Sequence, residues 1–373
     1  MRVCNGWRRF LFCLPLIFFL PHLFSVRQLH ESSNVKKPLK KQNKFDHVIL
    51  GPAAGQGLPN RLQCQGVNAI NKIKSSSGSN SGEYVSFVTV FVVNKSAESG
   101  RSLEYFNVGN ASYTKVERSM AILNVFISFI QVMMPRSNVI ILTDPASELP
   151  VHQDRVIVHP IQGDYSRNKL MLQRIRSYIE FLERKLEEQA HRQGHINNYI
   201  FTDSDVAVVG DLSEIFKDHV NFHLAFTFRN NKEQPLNSGF IAVKGTPDGL
   251  LRAKTFLQNV LEAYISKYIK ASRMLGDQLA LAWVVRSHPS FDPKKFTKQQ
   301  AFLEEIGGAS VLFLPCAIYN WTPPEGAGQF HGMPLDVKGS RKRLMLESWN
   351  FFNSSTTSDI SDMLCLVLGS GRT

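Results

Sequence analysis

"YIFTDSDVAVVG", residues 199–210, opens as an aromatic, β-branched run and stops at two aspartates, Asp203 and Asp205. A short apolar run of this kind reads as a buried strand. Residues i and i+2 of an extended chain point to the same side, so both carboxylates can face one ligand. Their like charges repel unless a cation lies between them. In an open α/β sheet, ligands collect beyond the carboxyl ends of the strands, which is where this pair falls. The alternative is a surface turn, where aspartate is common because it favours turn geometry.

Strand and helix patterns alternate on both sides of this stretch. Upstream, "YVSFVTVFVV" from Tyr84 reads as a buried strand. Thr114 and Glu117 form a capping box ahead of the apolar helix "MAILNVFISFIQVM". "NVIILTD" and "RVIVHPI" are two further strands. A long amphipathic helix follows over about Ser166–Gln193, with Leu172, Ile175, Ile179, Leu182 and Leu186 on one face and Gly194 to end it. Downstream, "HLAFTF" and "SGFIAVKG" are strands. Thr246 caps a helix with Pro247 at its first position, "GDQLALAWVV" is a buried helix, and "SVLFLP" is a last strand. The alternation predicts an α/β domain, a Rossmann-like, mostly parallel sheet flanked by helices.

The chain has 373 residues, 43% hydrophobic and 20% charged, which suits one large domain or two small ones with a real core. Its net charge of +12 is unevenly placed: residues 1–44 hold nine basic side chains against Glu31, leaving only +4 for the rest. The high pI therefore belongs to a tail and gives little support to nucleic-acid binding by the folded part. Residues 10–26, "FLFCLPLIFFLPHLFSV", carry no charge and follow Arg8 and Arg9. They read as an uncleaved signal anchor, with residues 1–9 as a cytoplasmic tail, or alternatively as a cleaved signal peptide. Residues 27–82 are polar and basic, end in "SSSGSNSG", and read as a flexible stem. The catalytic body is expected over 83–352, and 353–373 is a Ser/Thr-rich tail. Sequons at Asn94, Asn110, Asn320 and Asn353 accord with a lumenal body. Cys64, Cys316 and Cys365 allow one disulfide, whose pairing is open.

Three motifs carry the chemistry: "FTDSDV" at 201–206, "LNSGFIAVKG" at 236–245 and "GDQLAL" at 276–281. Together, in this order, they resemble the GT-A glycosyltransferases. The likeness is to the retaining nucleotide-sugar transferases that include glycogenin, the galacturonosyltransferases and the plant cell-wall xylosyltransferases. It covers roughly residues 84–345. It implies a GT-A fold, a nucleotide-diphosphate sugar as donor, and Mn²⁺ or Mg²⁺ held by hard oxygen ligands. Asp205 would then be a metal ligand, and Asp203 would lie near the metal or the ribose. Asn237, Ser238 and Gly239 would line the sugar pocket, and Asp277 and Gln278 would contact the donor sugar or its oxocarbenium-like centre. The alternatives are a tight turn for the first group and helix capping for the second. Lys169 lies where such enzymes approach the donor, or else on a solvated helix face.

The C-terminal part departs from the pattern. Where a metal-binding His is expected before Gly339, Arg341 and Lys342, the chain has Asp336, Val337 and Lys338. His331 is the nearest candidate for a third metal ligand, or that ligand is missing. Arg341 and Lys342 could reach diphosphate oxygens or form a solvated basic turn, and residues 319–330 have the content of an acceptor loop or of a plain one.

The expectation is a Golgi type II membrane glycosyltransferase, metal-dependent and retaining, with a glycan or glycoprotein acceptor, its catalytic domain lumenal and no nucleic acid as partner. Two rivals stand beside it. One is a non-catalytic relative that binds a sugar or a partner enzyme. The other is a phosphohydrolase with an aspartate nucleophile, which is disfavoured because that motif opens its domain and here three strands precede it.

Overall fold

The chain begins its sheet with β1 (Tyr84–Val90) and returns through helix α1 (Lys115–Met133) to β2 (Asn138–Thr143), which pairs parallel with β1. The fold is seen in a computed structural model, which describes residues 55–56, 84–93, 105–108, 111–151, 153–191, 196–229, 235–271, 275–298, 300–322, 329–330 and 333–334. The segment 10–26, the Cys64 and Cys365 positions, His331, Arg341 and Lys342 lie outside the described residues.

β3 (Val156–Pro160) adds parallel to β2 at the sheet edge. Helix α2 (Leu170–His191) then carries the chain back to β4 (Asn197–Thr202), which pairs parallel with β1 on its other side. A short helix, α3 (Glu214–Asp218), leads to β5 (Leu224–Phe228) and β6 (Leu236–Val243). Helix α4 (Pro247–Ala263) passes into a π-helical turn at Tyr264–Tyr268, and α5 (Gly276–Arg286) follows. The strands β7 (Phe302–Ile306) and β8 (Ala309–Pro315) and the four-residue α6 (Cys316–Tyr319) complete the main body. The eight strands run in the order β7–β8–β5–β6–β4–β1–β2–β3.

Four of the seven neighbouring pairs are parallel and three antiparallel, so the sheet is mixed and only narrowly the mostly parallel one expected. The reason is loop length. A parallel return needs a crossover of a dozen residues or more. Only residues 229–235 separate β5 from β6, and only Gly307–Gly308 separate β7 from β8. Both of those glycines have positive φ, 60° and 76°, which suits a two-residue hairpin.

Successive residues of each strand face opposite sides, and the chain fills both. Val139 and Ile141 pack with α1 residues such as Phe126 and Ile130. Ile140 and Leu142 pack on the other face with α2, α4 and α5, among Tyr178, Phe181 and Leu257. Fully burying side chains of this size stabilises by about 1.5–3 kcal/mol each. The capping box is present: the Glu117 amide donates to Thr114 Oγ1 at 3.2 Å and the Thr114 amide to Glu117 Oε2 at 2.7 Å. α1 is also long and apolar enough to cross a membrane, but nine of its residues are buried against the sheet.

β1 is the switch point. From it the strand order grows one way through β2 to β3, and α2 then brings the chain back to start the other half at β4. With α1 on one face and α2 on the other, a crevice opens beyond the carboxyl ends of β1 and β4.

Candidate active site

A cavity of about 370 Å³ fills that crevice, within the size range of small-ligand pockets. Val90 and Phe91 reach it from the end of β1, Ser119 and Ile122 from α1, and Thr202 through Val206 from the end of β4. Asn237, Ser238 and Gly239 line it too, because β6 is antiparallel to β4 and its first residues lie beside the last residues of β4. Asp277 and Gln278 enter from the first turn of α5. The three motifs are far apart in sequence, and the sheet brings them to one place.

The geometry of "LNSG" has a local cause. Along β6, Ile241 pairs with Phe226 of β5, but the next pairing is Asn237 with Thr227. Ser238, Gly239 and Phe240 are therefore out of that ladder, in a bulge that turns the backbone towards the aspartates. The Gly239 carbonyl accepts both the Asp203 amide at 3.3 Å and the Thr202 hydroxyl at 3.0 Å. The Gly239 amide donates to Asn237 Oδ1 at 2.6 Å. A Cβ on residue 239 would lie 2.5 Å from Asp203 Oδ2, so any other residue here would push the Asp203 carboxylate aside.

The residue that sequence reasoning missed is Arg174 of α2. Its guanidinium is buried and donates to Asp203 Oδ1, to Asp277 Oδ2 and, at 3.1 Å, to Ser238 Oγ. One cation thus ties the first aspartate of the strand-end pair to the α5 aspartate. Burial by itself pulls the Arg174 pKa down, but Asp203, Tyr178 and Asp205 more than restore it, and it stands above the usual arginine value. Burial pushes the neighbouring Tyr178 phenol up as well, with Arg174 offsetting part of that shift.

Asp277 does not cap its helix. Leu275 occupies the N-cap position of α5 with no side-chain capping bond, and the Asp277 carboxylate, buried, goes to Arg174. Lys169 does not line the cavity; its ammonium pairs with Asp164 Oδ2 at 2.8 Å. That pairing, with hydrogen bonds from Ser166, holds the Asp164 carboxyl well below the usual range. Asn320, in the cavity wall, donates from Nδ2 to Thr227 Oγ1 at 3.3 Å and to Asn237 Oδ1 at 3.2 Å. This sequon nitrogen is therefore engaged inside the fold.

The charged side chains among the described lining residues are Asp203, Asp205, Asp277 and Arg174, a net formal charge of −2. Asp203 and Asp205 are hard oxygen donors at the mouth, of the kind that suits Mg²⁺ or Mn²⁺. Among the described residues no group of three His, Cys, Asp or Glu could hold a metal ion. These residues fit a cation shared with ligand oxygens and water, not one enclosed by protein.

This is an α/β chain with an anionic cavity at the switch point of its sheet. No family model matches it, and no curated protein matches it. Among solved structures it is similar to the glycosyltransferase GlyE of Streptococcus pneumoniae TIGR4, at 11% identity and a TM-score of 0.31, over 56% of this chain. The chain spans 44% of the length of that protein. At that TM-score the likeness adds no argument to the geometry.

Proposed function

We propose that the chain is a glycosyltransferase that binds a nucleotide-diphosphate sugar together with a divalent cation and passes the sugar to a glycan or glycoprotein acceptor. One observation carries the reading: "FTDSDV", "LNSG" and "GDQ" meet in one cavity at the switch point, although 29 residues (207–235) separate the first two motifs and 36 (240–275) the last two. The cavity charge supports the cation. An anionic diphosphate entering a site of formal charge −2 is repelled unless a divalent ion comes with it.

Asp205 and Asp203 would hold that ion, with water and diphosphate oxygens beside them, and with His331 as the further ligand expected from sequence. When bound, Mn²⁺ or Mg²⁺ supplies charge neutralisation for the departing diphosphate. The rest is the work of side chains. Arg174 holds the Asp277 carboxyl fixed in the cavity wall where a sugar hydroxyl can reach it, and Gln278 lies next to it. Gly239 leaves the room a Cβ would close. Val90, Phe91, Ile122 and Leu275 supply an apolar wall. The retaining course rests on the resemblance of the three motifs alone.

The setting rests on residues 1–82 and the sequons: a single-pass type II protein of the Golgi membrane, with the catalytic domain lumenal. A second reading, a binding protein without turnover, is favoured by the Arg174 pairs, which already satisfy Asp203 and Asp277. Thermal shift of the full-length chain across a panel of UDP- and GDP-sugars tests the site. One donor is expected to raise Tm with Mn²⁺ and not with chelator, and Asp205→Ala to abolish the shift. A shift that survives Asp205→Ala would remove the metal assignment, and binding without nucleotide release would favour the second reading.

A further inference from the structure

The Asn320 side chain has a support that comes from the far end of the sequence. Asn320 follows the four-residue α6, and its amide closes that turn on the Cys316 carbonyl at 3.0 Å. So short a helix does not fix the backbone that leaves it. The next two residues, Trp321 and Thr322, pair parallel with Gly55 and Gln56, in the register Gly55 with Trp321 and Gln56 with Thr322. Gly55–Gln56 falls in the segment that composition assigns to a stem, and it belongs to the same contact unit as the sheet, His47–Thr373.

From Asn320 the connections run inward without a gap. Its Nδ2 holds Asn237 Oδ1 at 3.2 Å, and the same oxygen takes the Gly239 amide at 2.6 Å. Gly239 in turn accepts the Asp203 amide through its carbonyl. The bulge that shapes the "LNSG" wall is thus tied through Asn237 and Asn320 to a backbone ladder supplied by residues 55–56. We propose that Gly55–Gln56 is a strap on the cavity rim, and that Asn320 is a positioning residue which conveys the strap's hold to Asn237, Gly239 and the first aspartate. This rests on the reading of the cavity as the donor site. It assigns part of the presumed stem to the catalytic body and places its effect on donor affinity.

The test uses the full-length chain. Gln56→Pro removes a backbone N–H and the freedom to lie in the ladder; Lys41→Pro, before the compact unit, is the control. Amide exchange of the peptide spanning Trp321–Thr322 is read first, because it needs no activity. Protection there is expected to fall in Gln56→Pro and not in Lys41→Pro, while β1 and α2 stay protected and show the fold intact. Donor KM is read next. Gln56→Pro and Asn320→Ala are each expected to raise it about tenfold with kcat nearly unchanged. Their double variant should be no worse than the worse single, because both break one connection. Unchanged exchange at Trp321–Thr322 would overturn the strap, and an additive rise of about a hundredfold in the double variant would overturn the connection through Asn320. If no donor binds the wild-type chain, the donor reading fails, and the exchange result alone decides whether the strap exists.

Discussion

At the scale of single residues, Arg174 balances the cavity. It stands between two carboxylates that would otherwise be left facing each other across a buried space. Arg174→Met is therefore expected to lower stability by about 3–5 kcal/mol, the cost typical of breaking a buried ion pair from one side. Arg174→Lys should recover only part of this, since an ammonium lacks the fork that reaches Asp203 and Asp277 together. Urea denaturation of both variants measures it. Gly239→Ala should act differently, with little change in stability and a large loss of donor binding, because the new methyl displaces the Asp203 carboxylate. The aspartates, Asn237, Ser238, Gly239 and Gln278 could be named from sequence because they fall in short contiguous motifs. Arg174 could not. The expected apolar stripe holds at Leu172, Ile175 and Leu182, which are buried, but Ile179 and Leu186 are only partly so, and the buried face widens to take in Tyr178 and Phe181. With that face known, a cation one turn before Tyr178 becomes visible as an internal charge.

At the scale of elements, most starts were legible where a side chain sets them. Thr114 with Glu117 fixes the start of α1, and Thr246 with Pro247 fixes α4. Thr114→Ala should destabilise by about 1 kcal/mol, measured by thermal denaturation at neutral pH. The same contact carries a pH dependence. Bonding from the Thr114 backbone and side chain holds the Glu117 carboxyl below its ordinary 4.5. A depressed carboxylate contributes stability that is present above the unfolded value and lost as pH falls through the folded one. The Tm gap between wild type and Glu117→Ala should therefore narrow below about pH 4.5, and a gap that stays constant to lower pH would remove Glu117 from the cap. What sequence left unread were elements defined by pairing. β7 and its Gly307–Gly308 turn carry a hairpin signal, and the β6 bulge carries none, since it exists only as a mismatch with β5.

At the scale of the whole molecule, alternating strands and helices gave the α/β class, and the aspartates gave the end of the sheet at which a ligand would bind. The strand order was not legible, because pairing depends on which crossover passes over which face. It is that order which puts β1 beside β4 and β6 beside both β4 and β5, and so assembles one cavity from segments distant in sequence. The account stands or falls on what enters that cavity. The most direct measurement is nucleotide release by the full-length chain from a panel of UDP- and GDP-sugars, with Mn²⁺ and with chelator, for wild type and Asp205→Ala. The account predicts metal-dependent release from one donor and a loss of about a hundredfold or more in Asp205→Ala. Release that is indifferent to chelator and to Asp205→Ala, or none from any donor, would contradict it.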